Sequence, residues 1–184
     1  VTDPDCLRTE RLLLRRARPD DVKPMHRIMS DPVTMRWWSS LPHRERAETQ
    51  EWLDRMIAAP DAVGDDFIVE RDGEVIGKLG AWRLPEIGFL LAREAQGKGY
   101  ASEALAAFIA HRFARGSDWL VADVDPANAA SLRLLGRHGF RITGRAARTW
   151  LIGGVWHDSI YLRLDAPQPS GRVSEANTRS ITPA

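Results

Sequence analysis

The segment Gln96-Gly97-Lys98-Gly99-Tyr100-Ala101 combines two glycines and a lysine with the start of an apolar-periodic stretch, a pattern suited to holding an anion. Glycine at 97 and 99 lets the backbone turn without a Cβ, so successive N–H groups converge, and the dipole of a following helix adds partial positive charge at the same point. A pyrophosphate is the anion that such a cradle fits. Three readings compete. A nucleotide-hydrolase loop needs Ser or Thr directly after Gly-Lys to hold magnesium, and Gly99 stands there instead. A dinucleotide fingerprint needs a third glycine and a βαβ unit at the chain's start, which this sequence lacks. A plain helix entry also accounts for both glycines, so the loop alone leaves ligand and turn open.

Other reactive residue types are sparse. Cys6 is the single cysteine and cannot form an internal disulfide; with five scattered histidines, no Cys/His spacing resembles a zinc site, so no metal is expected. Cys6 itself reads as an inert thiol in a polar leader. The 26 Lys plus Arg balance 25 Asp plus Glu, which removes the electrostatic footprint of a nucleic-acid binder. The longest apolar run, Ala104 to Ala110, is far short of the roughly 18 residues of a membrane span. Asp3, Asp5 and Glu10 do not suit a signal peptide, and the expected compartment is the cytoplasm.

The elements that must position the loop can be read from periodicity. With 184 residues, 43% apolar, one domain with a sizeable core is expected. Residues 1–8 read as a leader, 9–165 as the folded body, and 166–184, rich in Pro, Ser, Thr and Gly, as a disordered tail. Leu12 to Leu14 form a short strand, and a helix capped by Asp20 ends near Ser30. A loop with Pro32 and Pro42 leads to a helix from Arg44 to Ala59, with Trp52, Leu53, Met56 and Ile57 on one face. Phe67 to Val69 and Val75 to Ile76 flank Asp72-Gly73, a hairpin turn that tolerates positive φ. Strand Glu86 to Leu91 precedes the glycine loop, and Ala101, Leu105, Phe108 and Ile109 mark the helix after it. Strand Trp119 to Val124, helix Ala129 to Arg137 and a hairpin around Gly153-Gly154 complete a mixed α/β sheet with helices packed on its faces.

The ordered set Glu86-Ile87-Gly88-Phe89-Leu90-Leu91, Gln96 to Ala101, Asn128 with Ser131, and Gly139-Phe140 resembles the GNAT superfamily of N-acetyltransferases, in its RimJ/RimL-type branch. The opening Thr9 to Arg15 and the closing hairpin match as well, so the resemblance covers Thr9 to Leu164. It implies a mostly antiparallel sheet with a splay between two parallel strands, and acetyl-CoA as acyl donor. Residues Gln96, Gly97, Lys98, Gly99, Tyr100 and Ala101 match the family's pyrophosphate loop. Freed backbone of Phe89, Leu90 and Leu91 would bond the pantetheine arm as an added strand. The Leu91 N–H is the implied donor to the acetyl oxygen, Asn128 belongs near the pantetheine amides and Ser131 near the thioester sulfur.

Direct attack by an amine requires a base and a weak acid. Glu86 is the candidate base, on one face with Gly88 and Leu90, where the missing side chain of Gly88 leaves room for substrate or water; a solvated carboxylate at a strand end is the plain alternative. The superfamily's usual acid is a tyrosine, and the matching position is Leu135. Ser131 is the substitute donor, and a thiol with a pKa near about 8.5 can leave with only a hydrogen bond. The acceptor is expected under the loop holding Trp37, Trp38, Ser39 and His43. For Trp37 and Trp38 core packing competes with a pocket role, and for His43 a helix start competes with a second base. Trp82 and Trp150 fit a sheet-face core, with the cleft wall as alternative, while His26, His111, His138 and His157 read as surface or helix-end residues. The expected acceptor is a primary amine, either a protein N-terminus or a small amine or amino acid, and the resemblance also allows a homodimer. Leu135 motivates a competing reading, a module that binds or senses acyl-CoA without chemistry.

Overall fold

A computed structural model describes residues 6–60 and 62–167. Residues 1–5 of the expected leader and 168–184 of the expected tail lie outside the described residues. Twelve elements follow in order: β1 (Cys6–Arg8), β2 (Leu13–Arg15), α1 (Val22–Met29), α2 (Arg46–Ala58), β3 (Asp65–Arg71), β4 (Glu74–Arg83), β5 (Glu86–Leu91), α3 (Tyr100–Ala114), β6 (Trp119–Val124), α4 (Ala129–Arg137), β7 (Arg141–Ile152) and β8 (Val155–Asp165). Strand β1 lies inside the segment read as a leader, pairing antiparallel with β2 from Cys6↔Arg15 to Arg8↔Leu13, so the sheet begins before Thr9. Three residues are too few to show alternation, and no sequence signal marked it.

Among the described residues the sheet has eight strands, in the order β1-β2-β3-β4-β5-β6-β8-β7. All neighbours are antiparallel except β5 and β6. Asp72 and Gly73 both take positive φ. They are the left-handed pair that a two-residue hairpin between β3 and β4 needs. Alternation sorts β4 and β5 between the two faces of the sheet. Leu79, Ala81, Ile87 and Leu91 pack with Leu105 and Phe108 of α3 and with Leu134 and Leu135 of α4. Ile68 and Leu90 pack on the other side with Met25 and Met29 of α1 and Leu53 of α2. Helices therefore cover both faces. Among the described residues no helix is long and apolar enough to cross a membrane.

Helix α3, which must aim the glycine loop, is tied down at both ends. Near its C-terminus the buried Asp65 carboxylate of β3 accepts from Arg112 at 2.6 Å, His111 at 3.0 Å and Arg16 at 2.9 Å. Burial alone would raise this carboxyl, but its three partners hold it well below the usual range. At the N-terminus Glu103 accepts from the Thr9 hydroxyl at 2.6 Å and from Arg11 Nε at 2.7 Å. Arg11 Nη1 also donates to the Lys98 carbonyl at 3.2 Å, and its guanidinium lies over the Tyr100 ring. The Thr9 to Arg15 segment thus buttresses the loop.

Candidate active site

Between β5 and β6 a single register pair, Glu86↔Val121, is formed among the described residues, backed by the Val121 N–H donating to the Pro85 carbonyl at 3.0 Å. Beyond Glu86 the two parallel strands part. The Ala92 N–H donates to the Ile76 carbonyl at 2.8 Å, which fixes the N–H groups that face β4. Alternation along the strand then turns the main-chain groups of Phe89 and Leu91 toward the gap. The Leu91 carbonyl accepts from the Gln96 side chain at 3.0 Å, tying the glycine loop to the end of β5.

Gly97 and Gly99 both adopt left-handed, positive φ, and Gly99 directly precedes α3. That conformation costs other L-residues energy. A Cβ at 97 would meet nothing within 4 Å, and one at 99 only the Arg11 guanidinium at 3.4 Å. The outer side of both glycines is therefore open to a ligand approaching the N-terminus of a fifteen-residue helix. This is the fit expected of a pyrophosphate. Helix α4 begins across the gap, where Asn128 Oδ1 caps it by accepting from the Ser131 N–H at 3.1 Å. One cleft of about 1380 Å³ runs from the glycine loop past the gap to the 34–43 loop. Single-ligand pockets span roughly 300–1,000 Å³, so this one has room for two substrates side by side.

Of the residues singled out in the sequence, Phe89, Leu90, Leu91, Gln96, Gly97 and Gly99 line the cleft. Tyr100, Ala101, Asn128 and Ser131 also line it. Lys98 does not; its side chain is exposed, and its contribution is the carbonyl held by Arg11. Glu86, Trp37, Trp38, Ser39, His43 and Trp82 complete the wall on the side of the 34–43 loop. Burial first, then the negative charge of Asp123, pushes the Glu86 carboxyl above its ordinary range, with Arg83 opposing. The space expected beside Gly88 is bounded by Trp38, whose ring carbons lie 3.7 and 3.9 Å from where a Cβ would stand. Trp38 packs on the α1–α2 core and also faces the cleft, while Trp37 stacks under Arg36.

Three expectations need correction. Trp82 is 59% exposed, not in a sheet-face core, because it falls on β4 beyond the reach of α1 and α2. Trp150 is 38% exposed and donates Nε1–H to Asp123 at 2.8 Å, because the β7–β8 hairpin projects past the end of β6. His157 on that hairpin is not a surface residue either: it lines the cleft and donates to Asp125 at 2.9 Å. His138 does end α4, bonded to Ser102 at 2.8 Å, and burial with help from Arg137 pushes its pKa down. Leu41 closes over the hairpin tip, so a Cβ at Gly153 would come within 2.9 Å of it.

Sequence reading passed over Asp123, Arg133 and Arg137, all on the cleft wall. The two arginines stand at i and i+4 on α4, beside Asn128 and Ser131, and that spacing was the available signal. Asp123 had none, since its importance comes from contacts across the sheet.

Comparison with known proteins agrees with this geometry. The family description "Acetyltransferase (GNAT) domain" matches residues 11–141. The chain belongs to that family of acyltransferases. An uncharacterized N-acetyltransferase p20 of Bacillus licheniformis is 30% identical over 151 residues, 76% of this chain and 84% of its own length. An L-methionine sulfoximine/L-methionine sulfone acetyltransferase of Pseudomonas paraeruginosa is 32% identical over 166 residues, 83% and 93%. The solved structure of the ribosomal-protein alpha-N-acetyltransferase RimL, in complex with coenzyme A, superposes with a TM-score of 0.77 at 21% identity, covering 87% of this chain and 97% of that one.

Proposed function

We propose that this protein transfers the acetyl group of acetyl-CoA to a primary amine that enters beside Glu86. The observation that carries the reading is the opening of β5 from β6 beyond Glu86, flanked by the glycine-built entry to α3. Acetyl-CoA supplies an activated thioester; the chain's residues bind, orient and move protons. The backbone amides from Gln96 to Ala101 take the pyrophosphate, with Arg133 and Arg137 as further cations on the facing wall. The main chain of Phe89 and Leu91 takes the pantetheine arm, and the Leu91 N–H donates to the acetyl oxygen. Glu86, with its raised pKa, accepts a proton from the attacking nitrogen, and the Ser131 hydroxyl donates to the departing sulfur.

Glu86 and the neighbouring Asp123 place two carboxylates together on the cleft wall, which suits a cationic amine. The contact of Leu41 with the hairpin tip narrows the acceptor end and favours a slender acceptor, such as a small amine or amino acid, over a folded protein's terminus. The relative acting on methionine sulfoximine and sulfone supports the same preference. Leu135 is fully buried in the core where the superfamily places a tyrosine, and this favours the competing reading of a non-catalytic acyl-CoA module. Coenzyme A release should be followed with L-methionine sulfone, spermidine and a short peptide with a free N-terminus. Acetylation of one of the small amines, with the peptide slower, is expected. Acetyl-CoA binding without acetylation of any of the three would favour the non-catalytic module.

A further inference from the structure

On the α1–α2 side of the cleft, two histidines share one buried hydroxyl. Thr49, in α2, is fully buried. Its Oγ1 lies 2.9 Å from Nδ1 of His43, which lines the cleft, and 2.8 Å from Nδ1 of His26, on α1. His43 is held in place by its own N–H, which donates to the Met29 carbonyl at 2.8 Å. A hydroxyl has one proton to give and two lone pairs with which to accept. Among the described residues these two ring nitrogens are the only hydrogen-bond partners of Oγ1. Pairing all three groups requires the hydroxyl to donate to one ring and accept from the other, which puts the two rings in opposite tautomers. The result is an unbroken N–H···O–H···N chain leading from the cleft to a half-exposed histidine on α1.

We propose that His43, Thr49 and His26 form a proton relay that carries the acceptor's ammonium proton out of the cleft. This rests on the acetyl-transfer reading above and acts in series with Glu86: the relay takes the ammonium proton before attack, and Glu86 takes the next N–H proton as the amide forms. In the working tautomer His43 Nδ1–H donates to Thr49, and Thr49 donates to His26 Nδ1. The ammonium N–H bond breaks as His43 Nε2 takes the proton. His43 passes its Nδ1 proton to Thr49 Oγ1, and Thr49 passes its own to His26 Nδ1. His26 then releases its Nε2 proton to water, and the amine's lone pair is free to attack. After the products leave, His43 Nε2 gives its proton to water entering the cleft, His26 and Thr49 hand protons back along the chain, and His26 Nε2 takes one from water, which restores the starting tautomers. Burial lowers the His43 pKa, reinforced by His26 on α1 and Arg55 on α2 and opposed by Glu48 on α2, so the ring is neutral and able to accept at neutral pH.

A purely structural tie would hold the start of α2 in place and would not alter proton traffic. The test uses the full chain. Nitrogen NMR of the histidine rings, without any substrate, should show His43 and His26 in opposite tautomers; the same tautomer in both overturns the relay. With the fastest of L-methionine sulfone, spermidine and the free-N-terminus peptide, Thr49→Val should lower kcat about tenfold, with a changed pH profile and an unchanged KM for acetyl-CoA. Thr49→Ser should restore both rate and profile. His26→Gln, at the partly exposed end of the relay, should lower kcat similarly, and combining it with Thr49→Val should cost little more. If the unsubstituted protein acetylates but both single variants keep its rate and pH profile, the relay is wrong. If the unsubstituted protein acetylates none of the three, the acetyl-transfer reading falls and the relay loses its purpose with it.

Discussion

The proposed coenzyme half of the cleft comes chiefly from one run of chain, 86–101, faced by the start of α4, and offers mainly backbone groups, whereas the acceptor half is assembled from side chains far apart in sequence. In the first half, Phe89 and Leu91 turn main-chain groups into the gap and Gly97 and Gly99 leave the helix entry uncovered. In the second, Trp38, Trp82, Asp123, Trp150 and His157 share one wall only because the 34–43 loop, β4, β6 and the β7–β8 hairpin converge. A backbone-built site tolerates changes of side chain outside its glycines. A side-chain-built site should change its substrate with few substitutions. Glu86 stands at the joint, at the last register pair before the strands part.

The sharpest way to separate the halves is at that joint. Glu86→Gln should reduce kcat by about 10²- to 10⁴-fold, the usual worth of a general base, while acetyl-CoA affinity measured by calorimetry stays unchanged. Unchanged turnover would remove Glu86 from the base role. Gly99→Val should act in the opposite sense, on the coenzyme half. Gly99 sits at positive φ. A β-branched residue there carries a left-handed penalty of about 1–2 kcal/mol, so affinity for acetyl-CoA should fall on the order of tenfold or more. Asp123→Asn should have the smallest effect and reads the coupling between the halves. Glu86 must be ionised to act, so turnover falls as pH drops through its raised pKa. Removing the Asp123 charge lowers that pKa, although burial still holds it up, and the acid limb of the pH–rate profile should move to lower pH. A limb that stays in place would mean that another group sets it.

This contrast also explains what the sequence made legible. Strands Glu86–Leu91 and Trp119–Val124 and helix Ala129–Arg137 lie where periodicity placed them, because each is bounded by turn chemistry and buried on a regular face. The glycine loop was readable because its chemistry is local: two positive-φ positions directly before a helix. Trp82 and Trp150 were misread as core because hydrophobic alternation says which face a residue occupies and not whether a helix covers it there. The partnerships Asp123–Trp150, Asp125–His157 and His43–Thr49–His26 depend on strand order and helix docking, which no local pattern encodes. Strand β1 escaped notice because three residues carry no period.

The most direct test of the central claim is thermal unfolding of the protein and of Gly99→Val with acetyl-CoA and, separately, ATP at equal concentration. At about 100 times Kd a bound ligand adds roughly 2.7 kcal/mol, and each kcal/mol raises the midpoint of a protein this size by about 2–4 °C. The account predicts a clear rise with acetyl-CoA that ATP does not match and that Gly99→Val cuts by about half or more. No rise with acetyl-CoA, or an equal rise in the variant, would contradict a coenzyme site built on the Gln96 to Ala101 backbone.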